Sequence, residues 1–544
     1  MVADLSTPER GGAYHPDRDW PMRRWSLALA GGLVALAIHH ILTPDGGDRW
    51  TSDATRVALA TFLGVAGICV AFVVDRGKLI GSLAFGLIAG LVVASVLYWS
   101  GDFRSWEPWR LVSALLTVAV AAPLFQGWRD GGEQRWRIPY PATHDRAWAN
   151  VCLWFAAWGF VGVSFLLAWL FAMLFNLIGI DTLKDLLKEE WFALALAGTA
   201  FGGAVGLLRD HERIVSLIQR VAMLVLSVLA PVLAVGLVLF LLALPFTGLD
   251  ALWETTKATT PILLSCIIGA LILANAVIGD GDEDQPRLRV LRWSAMALGA
   301  TILPLGIIAA ISTGLRIDQY GFTPARLWAA TFTGIACAFG LAYAVSLLRG
   351  RGSRWTGFVR PANLRLALGL CALAFLLSTP IISFGGIATR DQVARLTSGR
   401  TPVDKFDFAA LRFDFGPAGM KALNKLAKEG KTPEVRTAAA QALKSTDRYV
   451  FVEKTRQKEA LASIVVAPRG TELPQDLRDR IGAYDGCGGM KPCNVYYDLA
   501  QGRAIILGPY QTRIFRHSNG AWTTQDNAQT LTDTDRKRVD RAFA

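Results

Sequence analysis

A polytopic all-α membrane domain of about eleven helices, followed by a small α+β soluble domain, is the fold class this 544-residue sequence predicts. Three observations predict it. Long apolar segments follow one another from residue 24 to residue 385, basic residues crowd into every second loop, and residues 386–544 carry the charge density of a soluble domain. A helix needs about 20 apolar residues to cross the hydrocarbon core. A chain that is 52% hydrophobic and 18% charged falls outside the range of ordinary soluble proteins. The division that follows is 1–23 as a cytoplasmic N-terminal tail, 24–385 as the multi-span domain and 386–544 as a periplasmic α+β domain.

The predicted spans are 24–42, 55–74, 79–99, 108–126, 148–178, 190–208, 221–246, 261–279, 291–312, 324–348 and 364–385. Trp25, Trp99, Trp109, Trp128, Trp148, Trp191, Trp293 and Trp328 mark their ends, as expected of indoles between lipid and headgroup. The fifth span is too long for a straight crossing and is expected to tilt or to project from the bilayer. The first reads as a true span, since no small-x-small cleavage site precedes Thr43-Pro44.

Loop charges predict the orientation. One side receives Arg10, Arg18, Arg23, Arg24, Arg76, Lys78, Arg129, Arg135, Arg137, Arg146, Arg209, Arg213, Arg220, Arg287, Arg289, Arg292, Arg349, Arg351, Arg354 and Arg360, which makes 20. The other side holds six: Arg49, Arg104, Lys184, Lys188, Lys257 and Arg316. Positive charge stays in the cytoplasm. The N-terminus is therefore expected inside, and an odd number of spans places the C-terminal domain in the periplasm of a bacterial inner membrane.

Within the spans, Gly198, Gly202 and Gly206 recur every four residues, as do Gly86 and Gly90. Such small faces let helix backbones approach closely in lipid. Few ionisable groups lie inside. His39 and His40 near the outer end of the first span could titrate or bind metal, but no Cys, Asp or Glu at ligand spacing accompanies them, so they read as an interfacial pair. Asn176 and Asn275 are expected to bond across helices. No span carries a carboxylate at mid-membrane, which argues against proton- or sodium-coupled transport.

Asp280-Gly281-Asp282-Glu283-Asp284 starts like a calcium loop but has a misplaced glycine, with Leu291 where the bidentate Glu belongs. It reads as a solvated acidic loop. The outer loop Arg316–Trp328 predicts a turn at Gly321, an N-cap at Thr323 and Pro324 in the first helical position. Trp328 is expected in the aromatic belt. Arg326 opposes the helix dipole there and needs a partner, for which Asp318 or Asp391 is available. Asp318, Tyr320, Thr323, Arg326, Trp328, Asp391, Gln392 and Arg395 therefore form the candidate outer-face cluster, either a functional site or a clamp.

In the tail, helices are predicted near 417–428 and 433–446, strands at Asn494–Leu499, Arg503–Leu507, Thr512–His517 and Ala521–Thr524, and a last helix from about Thr532. Cys69, Cys152, Cys266, Cys337 and Cys371 lie in spans as small apolar residues, which leaves Cys487 and Cys493 as a predicted disulfide in an oxidising compartment. No metal, cofactor or nucleic-acid signature is present: there is no phosphate loop, no zinc motif and no basic–aromatic recognition helix.

The segments Tyr320-Gly321-Phe322-Thr323-Pro324-Ala325-Arg326, Ser378-Thr379-Pro380-Ile381, Ser383-Phe384-Gly385-Gly386-Ile387-Ala388, Gln392, Arg395 and Phe406-Asp407 through Leu411-Arg412-Phe413-Asp414 carry a resemblance. They are similar to a bacterial membrane family labelled domain of unknown function 4153, with Phe322 where such proteins more often have Leu. The resemblance implies a bacterial inner membrane and no particular chemistry. Three functions remain open on the sequence: an envelope protein whose periplasmic domain binds or senses a partner, a transporter or flippase of a lipid or amphiphile, and a transferase using a lipid-linked donor. The expected partners are the bilayer and a lipid or an envelope protein. A deep polar cavity open to one side would favour the second function, and carboxylates with Arg in an outer cleft the third.

Overall fold

The computed structural model describes residues 20, 22–44, 50–100, 108–131, 138–248, 258–279, 288–351, 354–449, 460–483, 486–487, 490, 492–507, 512–518, 521–525, 537, 539 and 541–543. The chain divides into two compact units, Met1–Gln392 and Val393–Ala544. The sequence boundary at 385/386 falls inside a helix, Phe384–Thr397, that continues across the division.

Among the described residues of the first unit, eleven helices are long and apolar enough to cross a membrane. They are α1 (Arg23–Leu42), α2 (Ala54–Val73), α3 (Leu79–Ser100), α4 (Pro108–Asp130), α5 (Tyr140–Asn176), α7 (Glu190–Asp210), α8 (Glu212–Thr247), α9 (Thr259–Ile278), α10 (Arg289–Tyr320), α11 (Pro324–Gly350) and α12 (Thr356–Ser378). A five-residue helix, α6 (Thr182–Leu186), lies between α5 and α7, and α13 is Phe384–Thr397. Helices α5, α8 and α10 outrun their predicted spans because polar residues at their ends, such as Asp145, Gln219 and Asp318, stay helical beyond the apolar run. The sequence reading counted only the apolar part.

Glycine sets two of the tightest packings. A Cβ at Gly198, Gly202 or Gly206 would strike the backbone of α1 at Gly31, Leu27 or Arg24. A Cβ at Gly90 would lie 2.8 Å from the Ala66 Cβ and 2.9 Å from the Phe62 carbonyl oxygen on α2. A second apolar core joins α8 to α12 through Ile267, Leu298, Ile302, Leu305, Tyr343 and Trp355. Asn275 bonds across helices: its Nδ2 donates to the Tyr343 hydroxyl (2.8 Å) and its Oδ1 accepts from Asn363 (2.7 Å). Asn176 does not. It ends α5, is half-buried, and donates to the nearby Asp181 carboxylate.

The second unit is α+β. Helices α14 (Phe408–Phe413), α15 (Gly416–Glu429) and α16 (Pro433–Lys444) precede β1 (Ile464–Ala467), α17 (Gln475–Ala483), β2 (Cys493–Asp498), β3 (Arg503–Leu507), β4 (Thr512–Ser518) and β5 (Ala521–Gln525). The sheet runs β1-β2-β3-β4-β5; β1 pairs parallel to β2, with α17 in the connection, and the rest are antiparallel. Side chains alternate along β2, so that Val495 and Tyr497 join Leu477, Ile481 and Phe515 on one face while Tyr496 packs with Ile505, Ile514 and Val539 on the other. Strand β1 and helix α17 are absent from the sequence reading. A four-residue apolar run has no period of its own to betray it, and only the parallel partner makes it a strand. Cys487 and Cys493 form a disulfide, with Cα atoms 5.5 Å apart. The acidic stretch 280–284 and the start of the last helix lie outside the described residues; Lys537, Val539 and 541–543 are helical.

Candidate functional site

Most of the outer cluster gathers around one short connection. Asp318 and Tyr320 lie on the last turn of α10, and Gly321 ends that helix at φ 75°, where a side chain would be strained. Thr323 then caps α11, its hydroxyl accepting from the Arg326 N–H at 3.3 Å, with Pro324 next. The Arg326 guanidinium turns back across the connection. It donates to the carbonyls of Tyr320 (3.2 Å) and Gly321 (2.8 Å) and lies 5.3 Å from the Tyr320 ring centre. The cation that opposes the α11 dipole thereby caps the negative end of α10, where a positive charge is stabilising.

Asp391 and Gln392 close the same joint. Asp391 accepts from the Phe322 N–H (2.8 Å), and Gln392 donates to the carbonyls of Tyr320 (2.9 Å) and Phe322 (3.0 Å). Trp328 departs from its expected place among lipid headgroups. It is buried against Trp109, Phe332 and Phe384, with ring centres 5.4, 5.8 and 4.9 Å away, because α4 and α13 cover the start of α11. Arg395 belongs to the second unit, where its carbonyl accepts from Ser398 and Thr401. Donors and acceptors at the joint are aimed at backbone rather than at open space. Arg326→Ala is expected to lower stability by about 1–2 kcal/mol, the worth of partly exposed charge-assisted bonds. A thermal scan in detergent checks this, and an unchanged midpoint would remove the joint reading.

A charged cavity lies at the other end of the bundle, among the residues counted for orientation. It holds about 630 Å³ and is walled by α2, α4, α5, α7, α8 and the turn before α3. Lys78, Arg129, Arg146, Arg209 and Arg213 line it together with Asp75, Asp130, Asp145 and Glu212. Its floor is the C-terminal turn of α2, whose last carbonyls have no partner within their own helix. Three other helix side chains supply them: Arg209 donates to Ala71 (3.0 Å), Gln126 to Phe72 (2.9 Å) and Arg129 to Val73 (2.6 Å). Arg129 also bonds Ser82 (2.9 Å) and Asp130 (2.9 Å), so its donors are committed to building the wall. Gln126, 2% exposed, accepts from Asn150 at 2.8 Å.

Lys78, Arg146 and Arg213 are the cations left facing the cavity. Lys78 stands 3.8 Å and Arg146 3.3 Å from Asp130, while Arg213 and Glu212 are exposed at the start of α8. The sequence reading missed this site because its signal was absorbed elsewhere. Five of the 20 basic residues that orient the chain are the cavity cations, and nothing in their loops says that they converge. The one sequence trace was polar Gln126 and Asn150 near helix ends. At the opposite side His39, on the last turn of α1, places Nε2 3.4 Å from the Thr43 hydroxyl. No metal-holding group of three His, Cys, Asp or Glu residues occurs among the described residues.

The family model described as Domain of unknown function (DUF4153) matches residues 62–426, two thirds of the chain, and the chain belongs to that family. The match takes in both the cavity and the Tyr320–Gln392 joint. No curated protein and no solved structure matches.

Proposed function

We propose that this DUF4153 member handles an amphiphile, taking the polar headgroup into the cavity at the basic-loop end while the apolar tail stays in the bilayer. The observation that carries it is a charged cavity of about 630 Å³ at the end of an otherwise apolar bundle. Five cations and four carboxylates line it, so its own charge nearly cancels. A headgroup bearing both an anionic and a donor group complements such a lining better than a highly charged anion does. This supports the transporter or flippase reading over the transferase, whose carboxylate–arginine cleft was expected on the other face.

In this reading the cavity opens toward the cytoplasm of a bacterial inner membrane, as the 20-to-six bias of basic loops requires. The second unit then lies in the periplasm. Its Cys487–Cys493 disulfide suits that compartment. The same observation favours an additional role for the second unit as an exported module that binds or senses an envelope partner.

Two measurements test the proposal. Native mass spectrometry of gently solubilised protein is expected to find a retained phospholipid, and protein that is always lipid-free would remove the headgroup reading. Single cysteines at position 220 and in the second unit should differ toward an impermeant maleimide in spheroplasts, with only the latter reacting. The reverse pattern would invert the topology.

A further inference from the structure

We infer that the first unit contains one four-helix bundle twice, α2–α5 and α9–α12, and that the headgroup cavity is open in the first copy and plugged by Trp355 in the second. The sequence carries the repeat. Pro108, Arg110, Leu111, Ala114 and Thr117 open α4, and Pro324, Arg326, Leu327, Ala330 and Thr333 open α11, each pair 216 positions apart. Ala and Leu recur in any membrane helix; Pro, Arg and Thr at matched places do not. Likewise Gly64, Ala71 and Asp75 around α2 match Gly269, Ala276 and Asp280 around α9, each 205 positions apart. The separation of two sets by six spans keeps both copies in the same orientation, the arrangement of parallel repeats.

The tertiary structure repeats with it. In each set the first helix packs on the second and the third on the fourth. A polar triad ties the first, third and fourth helices together. In the first copy it is the Phe72 carbonyl, Gln126 and Asn150; in the second it is Asn275, Tyr343 and Asn363. An arginine caps the last carbonyl of the first helix in both, Arg129 of the third helix on Val73 (2.6 Å) and Arg360 of the fourth helix on Ile278 (3.0 Å).

The copies differ where the cavity lies. In the second set the end of α9, the body of α10, the end of α11 and the start of α12 surround an indole. Trp355, 1% exposed, packs with Ile278, Leu298, Tyr343 and Val359. A Cβ at Gly350 would come within 2.7 Å of its own Cβ, so the end of α11 is closed onto it. The matching position in the first copy, 216 residues earlier, is Pro139, which carries no side chain able to fill the space. A close-packed interior leaves no room for a headgroup around Trp355. One ligand site per chain follows, and for ligand count alone this rests on the headgroup reading above.

Cysteine accessibility tests it on the full chain, with Cys69, Cys152, Cys266, Cys337 and Cys371 replaced by Ala and the disulfide kept. A charged maleimide is expected to modify Asn150→Cys at least about tenfold faster than Asn363→Cys, since one triad asparagine lines an open cavity and the other is bonded to Asn275 within a packed bundle. Adding Trp355→Ala should raise the Asn363→Cys rate by about the same factor, whereas Trp355→Phe should not. Equal rates at the two cysteines in the Trp355 protein would overturn the inference. So would an unreactive Asn363→Cys in a folded Trp355→Ala protein, and Trp355→Leu serves if the alanine variant does not fold. Lipid counts separate the two claims: a lipid-free protein with the labelling contrast intact removes the headgroup reading alone, and retained lipid without the contrast removes the duplication alone.

Discussion

Gly202→Val will leave little folded protein in the membrane. The Cβ of any residue at 202 would be driven into the backbone of α1 at Leu27, and neighbouring Gly198 and Gly206 already hold α1 and α7 at backbone contact. A flexible side chain could move aside, but a backbone carbonyl cannot without unwinding its helix. In lipid nothing apolar is gained by burying the new methyls, because the surrounding chains are as apolar as valine. Overpacking of this kind costs about 3 kcal/mol or more. Fluorescence-detected size exclusion of a tagged chain, with a thermal midpoint for whatever remains, measures it. Gly236→Val is the matched control, since no atom lies within 4 Å of its added Cβ. Equal loss for both variants would show that valine in a span, rather than the α1–α7 contact, is responsible.

Arg146→Glu will empty the cavity of lipid. Arg146 is 37% exposed and 3.3 Å from Asp130, and Asp145 and Glu212 line the same space. Reversing its charge removes one of the three cations that face the cavity and sets a further carboxylate beside Asp130. For a partly solvated site the change is worth about 2 kcal/mol, or about thirtyfold in retention. Native mass spectrometry across detergent washes reads it out. Arg220→Glu, farther along α8 and outside the lining, should retain lipid as the parent does. Equal retention by the Arg146 variant would show that the lipid sits elsewhere.

Class, span number and tail strands were legible because they follow from local order. An apolar run of sufficient length must be a helix in lipid, where every backbone N–H and C=O needs a partner within its own segment. Arg503–Leu507 is a short apolar run with two isoleucines between turn-forming glycines, so its strand ends agree residue for residue. The turn at Gly321, the cap at Thr323 and Pro324 were legible for the same reason, as each acts on neighbours within a few residues. Two of the partners of Arg326 were not: it donates to the carbonyls of Tyr320 and Gly321 at the end of the preceding helix, which nothing in the local sequence announces.

By itself the sequence determined that this chain forms eleven helices long and apolar enough to cross a membrane, that its basic residues crowd into alternate loops, and that an α+β unit follows the helices. Those properties belong to composition and charge summed along the chain, and the bilayer reads them one segment at a time. Only the tertiary structure decided what the basic residues do. Arg129 and Arg209 close the end of α2, Lys78, Arg146 and Arg213 face a cavity, and Trp355 fills the matching space between α9 and α12. Residues 78 and 213 line one cavity because separate helices pack side by side, and side-by-side packing leaves no period in the sequence from which to read it.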